Sequence, residues 1–188
     1  RGRTVAMTNL YTDPDSDARR RAQASSLLTP ASMTAYTDDP VPGLLATILH
    51  EASHNLGPSH DYKVNGQTDE DIFGGQLAST LEELKAQSGG LYFVEFLRTR
   101  GVISEERARQ IYADSIVWTF GHVSRGMYTP GGQRKAYSQL AAIQLGLLLD
   151  DGAVSWDAQA LAADGVHRGA FTIDYARRMK HRRARSLD

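Results

Sequence analysis

Apolar residues recur at helical spacing through most of the chain. In "GLLATILHEASHNLG" (43–57), Leu45, Ile48, Leu49, Ala52 and Leu56 fall at i, i+3, i+4, i+7 and i+11, which predicts a helix with one apolar stripe. Gly57 suits the residue just past a helix end, and Pro58 opposes continuation. The same periodicity predicts a long helix from about Gln76 to Arg100. Gly89 and Gly90 lie inside it and would kink it or let a neighbour come close. Ser104 can cap a further helix in "EERARQIYADSIVWTFGHVSRGM". "RKAYSQLAAIQLGLLLDDG" is another amphipathic helix, closed at Gly152, and "DARRRAQASSLL" (17–28) is a plausible one. "DDPVPG" (38–43) is expected as a rigid turn because its prolines oppose helix propagation. "SHDYKVNGQTDED" is expected as a polar connection and "YTPGGQ" as a loop. "GRTVAMTNLY" (2–11) has β-branched character and reads as a strand, and the residues after Ala153 read as one short helix and one terminal helix. The fold class that follows is mainly α, with a small strand element near the N-terminus.

With 188 residues, 41% of them hydrophobic, the chain can bury a core of its own, so residues 1–188 are expected to form a single domain. Cysteine is absent, so any metal must be held by His, Asp or Glu. The net charge of −1 gives no global field toward nucleic acid or membrane. Arg177, Arg178, Lys180, Arg182, Arg183 and Arg185 crowd the C-terminus, which reads as a solvated helix end rather than a polyanion site. No apolar run reaches membrane-spanning length, and the chain is expected to be soluble, with no compartment assigned. It begins at Arg1 with neither an initiator Met nor a signal-like start, so it is expected to be a processed product or a fragment of a longer protein.

The chemistry lies in "HEASHNLGPSH" (50–60). His50 and His54 are four residues apart and share one helix face, so both can grip one ion. Glu51 points about 100° away from His50 and can reach a water molecule without occupying the metal. A zinc ion lowers the pKa of such a water to about 7. The Glu51 carboxylate would then act as general base and afterwards as acid toward a leaving nitrogen. The plain alternative is two incidental histidines on an amphipathic helix.

The third ligand has two candidates. His60 completes HExxHxxGxxH, the metzincin pattern, and "SRGMY" offers Met127 for the supporting Met-turn. The other candidate is a carboxylate on the long helix, where Glu82 and Glu83 are available, as in zincins of the gluzincin type. Glu83 shares a face with Gln87 and Gly90, at i, i+4 and i+7. Glu83 could bind the ion while Gln87 bonds a ligand histidine and Gly90 admits the neighbouring helix.

"HEASHNLGP" followed by "LASTLEELKAQSGGLYF" resembles the dipeptidyl-peptidase-III family and its bacterial zinc-hydrolase relatives, over roughly residues 40 to 155. The resemblance implies a zincin-like helical metallopeptidase domain with one zinc ion on His50, His54 and Glu83, and peptides as substrate. It also implies a two-lobed whole protein, of which this chain would be the C-terminal, zinc-bearing part, with an upstream fragment of the same precursor as a possible partner. Three features depart from the family pattern, the first being that the family's proteins are much longer than this chain. The eponymous peptidases carry one more residue between the Glu and the second His, and an acidic residue usual after the Glu pair is Gln87 here. Glu83 is preferred on this resemblance, with His60 the alternative.

A zinc peptidase also needs a donor for the oxyanion. The family's later helix puts that position near Tyr137 in "AYSQLAAIQL", and His122 in "TFGHVSRG" is the second choice. Tyr128 and Arg134 lie nearby in sequence. Trp118, Phe120, Tyr92 and Phe93 are expected in the core. The reading is a zinc-dependent metallopeptidase with Glu51, His122 and Tyr137 as catalytic groups. Its rivals are a metzincin using His60 and a zinc-containing binding module without catalysis.

Overall fold

The computed structural model describes residues 14–57 and 62–178. In chain order its elements are α1 (Pro14–Leu27), α2 (Pro30–Met33), α3 (Val41–His54), α4 (Asp69–Phe73), α5 (Gly75–Thr99), α6 (Glu105–Val123), α7 (Ala136–Asp150), β1 (Val154–Leu161), β2 (Arg168–Ile173) and α8 (Tyr175–Arg178). The protein is mainly helical with a small two-stranded sheet.

α6 is the centre of the core. Ile111, Tyr112, Ile116 and Val117 are buried along it. Ala24 and Leu28 come against them from the α1 end of the chain, Val94 from α5, and Val154 and Ile173 from the hairpin. Ser104 caps α6 by accepting the Arg107 N–H at 3.1 Å, as its sequence position suggests. The helix stops at Val123, short of Met127, which lies in the turn beyond it.

Three expectations change. "DDPVPG" contains a helix start: Pro40 is the N-cap of α3 and Pro42 sits in its first turn. A proline there removes an N–H that has no partner inside the helix. Within the expected polar connection, α4 forms because Thr68 and Asp71 bond reciprocally as a capping box.

The third correction is larger. Residues 154–173 form an antiparallel hairpin, not a helix, with Val154 opposite Ile173 and Trp156 opposite Phe171. Ala-rich "DAQALAAD" favours a helix locally, but pairing and packing override that preference. Phe171 stacks on Phe120 with centroids 4.7 Å apart, and its carbonyl accepts the Thr29 N–H. Ser32 holds the next residues, accepting from the Ile173 N–H and the Tyr175 hydroxyl. At Gly169 the backbone is left-handed at φ 86°, and the Trp156 ring covers the place a side chain would take. The strand expected over residues 2–11 and the tail beyond Arg178 lie outside the described residues. Arg177, at the head of that tail, bonds the Asp151 carbonyl at 2.6 Å.

Candidate metal centre and adjoining cavity

α3 and α5 run antiparallel, with His50 beside Gly90 at one level and Leu56 beside Lys85 at another. The two glycines make the approach possible. A Cβ at Gly90 would stand 3.1 Å from the His50 amide nitrogen, and one at Gly89 would stand 2.8 Å from Ser53 Oγ. Gly89 and Gly90 therefore serve close packing inside a continuous helix.

This contact brings three potential ligand atoms together. Glu83 Oε2 lies 3.1 Å from His50 Nε2 and 3.7 Å from His54 Nε2. Donors about 2.0–2.2 Å from a tetrahedral zinc ion stand roughly 3.3 Å apart, so these spacings fit a shared ion. The outward ring nitrogens are also held. Gln87 Oε1 is 3.0 Å from His50 Nδ1, and Glu82 Oε1 is 2.9 Å from His54 Nδ1. Lys85 Nζ in turn sits 2.8 Å from Glu82 Oε1. Acceptors at Nδ1 favour the N–H there, which would turn each Nε2 toward an ion shared with Glu83. His50, Glu51 and His54 themselves offer ligand atoms within 4.8 Å of one another, a group that could hold a metal ion. Glu83, on α5, faces both histidines of that group across the helix contact.

Charge balance follows the geometry. Burial opposes a charge on His50, but bonds to Glu83 and Gln87 and the nearby Glu51 outweigh it and raise its pKa above the ordinary imidazole value. Burial would also raise the Glu83 carboxyl, yet His50, His54 and the Tyr137 hydroxyl hold it below the usual carboxylate range. The Tyr137 phenol is pushed up to about 12, first by burial and then by the charge and hydrogen bond of Glu83, so it stays an O–H donor. His122 is lowered by burial and by the charge of Arg125, which keeps it neutral at pH 7.

His50, Glu51, Gln87, His122 and Tyr137 line a common cavity of about 570 Å³. The His122 and Tyr137 ring centroids are 5.6 Å apart, and Trp118 stacks on His122 at 4.2 Å. Trp118 is thus a cavity wall, and Tyr92 is half exposed, whereas Phe120 is buried as expected. Tyr128 and Arg134 pair across a turn, outside the residues that line the cavity. His60 lies outside the described residues. Sequence reasoning missed the Arg20–Asp114 ion pair, which lines the same cavity. The partners are far apart in the chain and no local spacing links them.

No family model matches the chain. Among curated proteins, Nudix hydrolase 3 of Arabidopsis thaliana is 25% identical over 134 residues, which is 70% of this chain and 15% of that protein. Among solved structures, DPP III from Caldithrix abyssi superposes over 92% of this chain with a TM-score of 0.72 and 23% identity. The fold is DPP III-like. The chain spans 30% of that structure, so the likeness concerns one part of the larger protein. Within this DPP III-like fold, the His50–Glu83 contact sits where α3 and α5 cross, and the cavity opens beside it. No helix among the described residues is long and apolar enough to cross a membrane.

Proposed function

We propose that this chain is the metal-bearing part of a zinc-dependent hydrolase and that it acts on peptides as a metallopeptidase. The observation that carries the reading is the convergence of His50 Nε2, His54 Nε2 and Glu83 Oε2, with His50 and Glu51 on the wall of the adjoining cavity. A zinc ion held by these three residues would supply Lewis acidity toward a carbonyl and lower the pKa of a water molecule. Gln87 and Glu82 hold the imidazole rings in the ligand tautomer. Glu51 takes the proton of the attacking water and passes it to the leaving amine nitrogen. Neutral His122 and Tyr137 line the cavity, and a donor from either would steady the oxygen that gains charge as the carbonyl is attacked, Tyr137 by turning its hydroxyl away from Glu83. The reading also takes the chain as one part of a longer, two-lobed protein, with an upstream fragment of the same precursor as a possible partner.

The test is metal content and hydrolysis measured together. The full chain should bind one zinc ion and cleave members of a peptide library. Glu51→Gln should keep the zinc and lose turnover by about a hundred- to ten-thousandfold. Full turnover in Glu51→Gln would sink the mechanism. Stoichiometric zinc without hydrolysis of any peptide would make the chain a zinc-containing binding module instead.

A further inference from the structure

The 570 Å³ cavity is uneven in charge. Glu51 stands toward the candidate metal centre. Elsewhere on the wall, Arg20 is bound to Asp114, so that guanidinium is already matched by a carboxylate. Arg125 lines the same cavity, and among the described residues no carboxylate pairs with its guanidinium.

The backbone that carries Arg125 is fixed. Arg125 lies three residues beyond His122, and its N–H donates to the His122 carbonyl at 3.2 Å. Lys135 Nζ donates to the Arg125 carbonyl at 2.7 Å, and Ser138 Oγ donates to the His122 carbonyl at 2.9 Å. The turn after α6 is thus tied to the start of α7 on both sides of Arg125. His122 and Tyr137, which flank this turn, face the same cavity as Glu51. A guanidinium is a planar fork of donors that matches a carboxylate with two parallel bonds. A cation after a helix C-terminus also complements the helix dipole, but that role does not select ligands.

We propose that Arg125 is a specificity residue that binds a carboxylate of the peptide substrate while the scissile bond lies against Glu51. This rests on the peptidase reading above. The carboxylate is either the substrate's C-terminus or an acidic side chain, and the two sources share the same chemistry at the guanidinium.

The experiment uses the full chain, zinc-loaded and carrying Glu51→Gln, titrated calorimetrically with one short neutral peptide in several forms. These are the free C-terminal acid, the amide, the amide with one Glu added, and the amide with one Lys added. At least one carboxylate form should bind about five- to tenfold tighter than the plain amide. Tighter binding of the free acid assigns the C-terminus, and tighter binding of the Glu amide assigns a side chain. Adding Arg125→Ala should abolish the preference, Arg125→Lys should keep part of it, and Arg125→Glu should shift it to the Lys amide. Circular dichroism and zinc content should match the parent in each case. Equal affinities for all forms, a preference that survives Arg125→Ala, or no binding of any form would overturn the proposal. In parallel, the chain with Glu51 intact should show the preference in KM rather than kcat. Carboxylate-selective binding without any hydrolysis would fail the peptidase reading and keep the Arg125 site. Hydrolysis without selectivity would fail the Arg125 site alone.

Discussion

Gly90 sets α5 against the main chain of His50, so closely that a methyl group at Gly90 would lie 3.1 Å from the His50 nitrogen. The contact is with backbone, which cannot swing aside as a side chain can. Gly90→Ala gains about 1 kcal/mol of helix propensity and loses about 1–3 kcal/mol to overpacking. The expected outcome is a small change in thermal midpoint together with weaker zinc binding, because the helices part where Glu83 meets His50. Chelator competition measures the second effect, and unchanged affinity would show that the helix spacing is not critical.

The choice of third ligand is open to a paired substitution. Glu83→Ala should strip zinc from the purified chain, and His60→Ala should leave it in place. Metal analysis after dialysis decides. The opposite result would transfer the role to His60 and end the two-helix reading.

Gln87 is expected to act on the metal through His50. Removing its acceptor in Gln87→Leu frees His50 Nδ1 from its 3.0 Å partner. Zinc affinity should fall about 10- to 100-fold while one ion still binds at saturation. Gln87→Glu should keep affinity near that of the parent, since a carboxylate accepts the same N–H.

The hairpin carries its own pH dependence. Asp164 bonds the Val166 and His167 N–H groups and the His167 ring, which lowers its pKa from 3.8 to about 2. A depressed carboxyl stabilises the folded turn above its unfolded pKa, so this contribution is full above about pH 4 and disappears as pH falls through about 2. An NMR titration should find the Asp164 carboxyl midpoint near 2, with amide exchange at Val166 and His167 quickening on the acid side. A midpoint near 4 would refute the turn geometry.

Gly169→Ala tests the other end of the hairpin. The backbone there is left-handed and the Trp156 ring fills the space above it. Loss of about 2 kcal/mol in urea unfolding is expected, from backbone strain and displacement of the ring. A neutral result would mean that Trp156 can leave its place without loss.

The strongest elements were legible because their signals are local. The apolar stripe of α3, the Ser104 cap and the face shared by Glu83, Gln87 and Gly90 all follow from 3.6-residue geometry within one segment. The hairpin was misread for the converse reason. Residues 154–161 are mostly exposed and run into the Ala-rich "DAQALAAD", and their strand state depends on pairing with β2 and on the stacking of Phe171 on Phe120. One local signal did exist: Asp164-Gly165 is a hairpin-type dipeptide, and Gly165 has a positive φ of 75°.

The candidate site divides along the same line. Residue spacing alone places His50, Glu51 and His54 on one helix, with the two histidines on one face, because a four-residue step is about one helical turn. Composition alone shows that cysteine takes no part, since there is none. Which carboxylate meets which nitrogen follows from helix packing and not from spacing. Glu83 and Glu82 are adjacent and chemically alike, yet one faces both Nε2 atoms and the other holds His54 Nδ1. That distinction depends on the rotation and spacing of α5 against α3, set by the contacts of Gly89 with Ser53 and of Gly90 with His50, which join segments far apart in the chain. The cavity is likewise a tertiary product, because Arg20 on α1, Asp114, His122 and Arg125 on α6 and its closing turn, and Tyr137 on α7 come from three separate stretches that only packing brings together.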